Sequence, residues 1–179
     1  NSLYGTDAET TADPDGDGLD NQTEFNLNTN PNLSDSDSDG LSDGLEVNTH
    51  TTDPLDSDSD DDGLNDGDEV NTHNSNPLDS DSDDDGLNDG VEVNTYGTSP
   101  NNSDSDGDGL SDNDEINTHN TNPNNSDSDA DGLSDGDEVN TYQSNPNSND
   151  TSNDGLSDQA LVDYGLDPNV DHTLLYNAI

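Results

Sequence analysis

Large apolar residues occur singly along this chain, at intervals that repeat. A leucine stands at Leu19, Leu41, Leu64, Leu87, Leu110, Leu133 and Leu156. Six residues after each comes one further apolar side chain: Phe25, Val47, Val70, Val93, Ile116, Val139 and Val162. In five copies a ring follows three residues later, at His50, His73, Tyr96, His119 and Tyr142. Almost everything between is polar. The pattern is neither a sustained helical stripe nor an alternating strand. It predicts one or two helical turns behind each leucine, as in Asp43–Thr49, with Val47 and His50 on one face. Pro54, Pro77, Pro100, Pro123 and Pro146 deny a helix ahead of the next copy. Three apolar groups per copy cannot make a self-sufficient core. The expected fold is a solenoid-like repeat rod of mostly irregular loops, with one short helical turn per 23-residue repeat and no large hydrophobic core.

The polar positions carry the stronger signal. A motif of the form D-x-D-x-D-G-L opens at Asp13, Asp35, Asp58, Asp81, Asp104 and Asp127, with a degraded copy at Asp150. Six copies in phase match the loop pattern D-x-[DN]-x-[DN]-G-x5-E, whose alternate aspartates converge on one hard cation. Calcium takes six to eight oxygens, from carboxylates and from a backbone carbonyl at loop position 7. Position 6 needs glycine for the sharp turn, and a glutamate at position 12 closes the far side. The expected ligands are Asp13, Asp15, Asp17, Leu19 (through its carbonyl, as for each leucine here) and Glu24 in the first loop. The second has Asp35, Asp37, Asp39, Leu41, Asp43 and Glu46; the third has Asp58, Asp60, Asp62, Leu64, Asp66 and Glu69. The fourth has Asp81, Asp83, Asp85, Leu87, Asp89 and Glu92; the fifth has Asp104, Asp106, Asp108, Leu110, Asp112 and Glu115. The sixth has Asp127, Asp129, Asp131, Leu133, Asp135 and Glu138. In the seventh only Asp150, Asp154, Leu156 and Asp158 remain, because Ser152 and Leu161 occupy positions 3 and 12. That copy is expected to bind weakly, or to act as a terminal capping unit. Six or more calcium ions per chain follow.

Composition makes a cation necessary as well as possible. The 179 residues include 46 acids and neither lysine nor arginine, for a formal charge of −46. A chain of that charge with 21% apolar residues has the composition of a disordered one. No side chain supplies the counter-charge, so metal must. The absence of cysteine excludes thiolate sites and disulfides. The absence of basic residues excludes nucleic acid as a partner. No apolar stretch is long enough for membrane insertion. No nucleophile–base constellation supports an enzyme.

The loops are not those of a calcium sensor. A sensor flanks each loop with long amphipathic helices, which the prolines here forbid. Position 8 is polar throughout, at Asp20, Ser42, Asn65, Asn88, Ser111, Ser134 and Ser157, where paired sensor loops carry an apolar residue. Units such as DSDADGLSDGDEVNTYQSNP, Asp127–Pro146, resemble the bacterial thrombospondin type 3 repeat and calcium-binding acidic repeat families. The resemblance covers residues 13–168 and implies an extracellular or cell-surface, calcium-wrapped rod with little regular secondary structure. Asp53, Asp56 and Asp79, beside the prolines, are either turn residues or oxygens for a second ion. Thr49, Thr72, Thr95, Thr118 and Thr141 are expected to hydrogen-bond at the helix ends.

Three segments follow: a partial trailing half-repeat over 1–12, seven calcium repeats over 13–168, and an apolar tail over 169–179. The tail residues Leu174, Leu175, Tyr176 and Ile179 are expected to dock on a neighbouring copy, giving a homo-oligomeric filament by head-to-tail contacts. The leading expectation is an extracellular calcium-binding structural protein. The alternatives are a spacer or stalk from a larger adhesin and a secreted calcium buffer.

Overall fold

The computed structural model describes residues 10–176, with side chains to Leu174. The first nine residues of the expected half-repeat, Ile179, and the side chains of Leu175 and Tyr176 lie outside the described residues. Two units are distinguished. One comprises 1–82 with 88–95, the other 83–87 with 96–179. The fourth loop is thus divided between them, with loops 1–3 in the first unit and 5–7 in the second.

Each repeat builds the same way. The polar residue at position 8 is extended at the start of a short helix, and its side chain caps that helix at Asp20, Ser42, Ser111, Ser134 and Ser157 but not at Asn65 or Asn88. Ser42 Oγ accepts from the Leu45 N–H at 3.3 Å, and Asp20 Oδ1 accepts from the Thr23 N–H at 2.8 Å. Position 8 is therefore polar because it serves a cap, where a sensor uses it for a strand contact. Helix α1 (Asn21–Leu27) follows in the first repeat. The next five have three-residue helices α2 (Asp43–Leu45), α3 (Asp66–Asp68), α4 (Asp89–Val91), α5 (Asp112–Asp114) and α6 (Asp135–Asp137). Each runs on into a five-residue π turn, at Glu46–His50, Glu69–His73, Glu92–Tyr96, Glu115–His119 and Glu138–Tyr142. Helix α7 (Asp158–Asp163) serves the seventh repeat and α8 (Thr173–Tyr176) follows it. No strand occurs among the described residues.

The π turns end on a left-handed residue such as Thr51, Asn74, Asn120 or Gln143. A proline turn then reverses the chain: the Asp56 N–H donates to the Asp53 carbonyl across Pro54, and the Asp79 N–H to the Asn76 carbonyl across Pro77. Asp53, Asp56 and Asp79 are exposed turn residues. The Asp53 side chain also accepts from the Leu55 N–H at 3.2 Å, so proline and aspartate together set this turn.

The buried interior is small and unusual. Its hydrocarbon is Leu19, Leu41, Leu64, Leu87, Leu110, Leu133 and Leu161. The residues after the glutamates are only half-buried, and Phe25 is 47% exposed. The groups with no exposure at all are mostly acids: six position-12 glutamates and six position-9 aspartates. Such a core cannot be neutral hydrocarbon. It must be neutralised from within.

Successive repeats within each unit are tied through position 5. Its carboxylate holds its own loop, accepting from the position-7 N–H, and reaches the next repeat with its other oxygen. Asp17 accepts from the Gly44 N–H at 3.0 Å, Asp39 from Gly67 at 2.8 Å and Asp62 from Gly90 at 2.6 Å. In the second unit Asp85 accepts from Asn113, Asp108 from Gly136 and Asp131 from Gln159. Position 10 is usually glycine because a Cβ on Gly44, Gly67 or Gly136 would strike the backbone of the preceding loop. Where Asn113 and Gln159 stand instead, their side chains lie over Gly86 and Gly132.

Candidate metal centre

The loop geometry follows from backbone sterics. Position 6 has φ between 95° and 107° in all seven copies, as at Gly63 and Gly132, a region that side chains rarely enter. That turn folds the three leading aspartates inward. In loops 1, 2, 3 and 5, one oxygen from each of positions 1, 3 and 5 lies within 4.8 Å of the others.

The carboxylates divide by what they touch. Position 1 braces the loop: Asp58 accepts from the Asp62 N–H at 3.2 Å and the Gly63 N–H at 3.1 Å. Position 5 joins loop to loop, as described. Position 9 is held inside the repeat by the serine at position 2. Asp43 Oδ1 accepts from the Ser36 N–H and Oδ2 from Ser36 Oγ, both at 2.7 Å. The same pair recurs at Ser59–Asp66, Ser105–Asp112 and Ser128–Asp135. In the first repeat position 2 is Pro14, which has no N–H, and position 9 is Asn21. The structure therefore places the position-9 acids beside their serines, while positions 1, 3 and 5 cluster.

Positions 3 and 12 behave differently. Asp37, Asp60, Asp106 and Asp129 each keep one buried oxygen without a hydrogen-bond partner, and Asp15 keeps both. So do Glu46, Glu69, Glu115 and Glu138 through Oε2, and Glu24 through both oxygens. A buried carboxylate oxygen without a donor is costly. Here such oxygens recur at two positions of one loop, and Asp37 acts electrostatically on Glu46 as Asp106 does on Glu115. A hard cation with oxygen ligands satisfies all of them at once.

The glutamate is aimed by a hydroxyl six residues on. Ser144 Oγ donates to Glu138 Oε1 at 3.0 Å, Thr121 Oγ1 to Glu115 at 3.1 Å and Ser75 Oγ to Glu69 at 3.3 Å. One glutamate oxygen is thereby fixed and the other is left for a ligand. The threonines Thr49, Thr72, Thr95, Thr118 and Thr141 are exposed instead; the hydroxyl at the helix end belongs to Thr52, Ser75, Thr121 and Ser144. The 23-residue spacing marks these residues too, with a hydroxyl at Thr29, Thr52, Ser75, Thr98, Thr121 and Ser144, but it does not say which carboxylate each one meets. Outer-shell partners of this kind are worth roughly 10- to 100-fold in metal affinity. Ser144→Ala is expected to weaken calcium binding in the sixth loop about 10-fold, at the low end of that range. The Gly132 amide in a nuclear magnetic resonance titration reports it, and an unchanged midpoint would remove the positioning role.

Electrostatics point the same way. Burial, and then the neighbouring Asp37, Asp39 and Asp43, push Glu46 up from 4.5 to about 8. Glu69, Glu115 and Glu138 also rise to about 8 and Glu24 to about 7. Burial and adjacent aspartates raise Asp37, Asp60, Asp106 and Asp129 to about 6. These carboxyls hold protons in a folded, metal-free loop, and a divalent cation must displace them. Calcium uptake at pH 6.5 is therefore expected to release on the order of one proton per loop. A pH-stat titration measures it; uptake without proton release contradicts the burial described. The sign for stability is equally definite. Carboxyls raised in the folded state favour metal-free folding in acid, and that contribution is lost as pH rises from 4.5 through about 8.

Comparison with known proteins adds the family. The family model described as "Bacterial TSP3 repeat" matches residues 13–34, 35–57, 58–80, 81–103, 104–126 and 127–149, well over half of the chain. The seventh copy lies outside the matched segments. No curated protein matches. Among solved structures, "Biofilm associated protein - B domain" is 44% identical over 25% of this chain and 11% of its own, with a TM-score of 0.25. "Biofilm associated protein - BSP domain" is 44% identical over 24% and 7%, with a TM-score of 0.24. The matched part is thus a small share of either protein.

Proposed function

Since the chain belongs to the bacterial thrombospondin type 3 repeat family, we propose that it is an extracellular calcium-binding structural protein whose repeats are made rigid by the ion. The observation that carries this reading is the buried oxygen pair at positions 3 and 12, left without donors in loops 1, 2, 3, 5 and 6. Positions 1, 3, 5 and 12 of loops 1–6 hold calcium, and the position-7 carbonyl completes the set. The ion supplies positive charge that the chain does not encode. Position 5 then transmits each loop's geometry to the next repeat, so that occupied loops order one another. Extracellular modules of this type bind at about 10⁻⁴–10⁻³ M, which suits a calcium-rich exterior and disfavours a buffer.

The assembly part of the reading is a head-to-tail filament. Leu174, 83% exposed, supports it as an apolar contact beyond the last repeat. Sedimentation velocity in millimolar calcium tests it, with electron microscopy of the same samples. Calcium-dependent polymers that Leu174→Asp abolishes are the expected result. A monomer at all calcium concentrations would leave a structural repeat array without self-assembly.

A further inference from the structure

We infer that the seventh loop holds no metal ion and is a calcium-independent copy that follows the six calcium loops. This rests on the reading of loops 1–6 as calcium sites and concerns what sets this copy apart. Positions 3 and 12, which carry donor-less buried oxygens in loops 1, 2, 3, 5 and 6, are both changed here: Ser152 stands at position 3 and Leu161 at position 12. Leu161 has no exposure, so hydrocarbon fills the place that a buried glutamate takes in the other copies.

The remaining acids are all satisfied by the protein. Asp150 Oδ1 accepts from the Asp154 N–H at 3.1 Å and Ser152 Oγ at 3.4 Å, and its Oδ2 from the Gly155 N–H at 2.8 Å. Asp154 Oδ1 accepts from the Leu156 N–H at 2.9 Å. Asp158 accepts from the Thr151 N–H at 3.0 Å and Thr151 Oγ1 at 2.7 Å. The last oxygen, Asp154 Oδ2, accepts from the His172 N–H at 2.8 Å. In every earlier described junction that oxygen receives the position-10 N–H of the following repeat. Residues 167–173 thus stand in for a repeat: Asn169 Nδ2 also reaches the Tyr142 carbonyl at 2.9 Å, as Asn147 reaches that of His119 at 3.0 Å. No carboxylate oxygen in this loop is left asking for an ion. The turn is kept by hydrogen bonds and a leucine where its neighbours need calcium.

Native mass spectrometry of the full chain in saturating calcium tests this. Asp150→Asn should bind as many ions as the wild type, while Asp104→Asn, the equivalent change in the fifth loop, should lose at least one. The double variant Ser152→Asp/Leu161→Glu should gain one. A lower count for Asp150→Asn would overturn the inference, and so would a double variant that gains nothing. A wild type that takes up no calcium would sink the functional reading itself, an outcome distinct from either.

Discussion

Excess chelator is expected to turn this chain from an ordered repeat array into an expanded, disordered one at neutral pH. The buried hydrocarbon amounts to one leucine and, in most repeats, one proline, the leucine worth about 1.5–3 kcal/mol, against the conformational entropy of more than twenty residues. The acids at positions 9 and 12 lie inside the same small core, with those at position 3 half-buried beside them. Above pH 8 the buried glutamates lose their protons as well, and their repulsion opposes compaction further. Circular dichroism should lose its helical contribution, and small-angle scattering should show a large rise in radius of gyration. Acidification of the chelated chain should partly reverse this, since protons neutralise the carboxyls that calcium otherwise serves. A compact chain in chelator at pH 8 would contradict the account.

The second large effect is expected from Glu69→Gln. Glu69 starts a π turn, has no exposure, and is held by Ser75 at Oε1 while Oε2 has no donor. The amide removes one charge and turns a donating NH₂ group toward Asp60 or Asp62 or away from its serine. Calcium affinity in the third loop should fall at least about 100-fold, beyond what an outer-shell partner contributes. The effect should spread within the unit. Asp62 accepts from the Gly90 N–H at 2.6 Å and Gly67 donates to Asp39 at 2.8 Å, so a disordered third loop loosens both neighbours. Amide exchange around Gly40 and Gly90 should quicken in the variant. Wild-type affinity in the third loop would exclude Glu69 as a ligand.

What could be read from the amino acids was whatever a single loop dictates. Three aspartates two residues apart, Gly40 at a φ of 104° and Leu41 behind it obey rules that act over six residues. The family was legible for the same reason. The helical turn was also legible, though not its widening into a π turn, which depends on where the chain reverses at Thr51 and Pro54. Contacts between repeats were hidden. That Asp39 serves Gly67 requires knowing what faces what across 28 residues. The position-9 acids show this too: Asp43 has the residue type and spacing of a ligand, and only the structure adds that Ser36 donates to both of its oxygens. The serine alternates with proline at Pro14, and only the structure shows why Asn21 changes with it.

The central claim is that loops 1–6 bind calcium, as the donor-less oxygens of loops 1, 2, 3, 5 and 6 require. A calcium titration of the full chain by native mass spectrometry tests it most directly, with each state counted by mass. At least six ions per chain are predicted, taken up over the range in which the helical signal appears. Fewer than six at saturation, or full order with none bound, would contradict it.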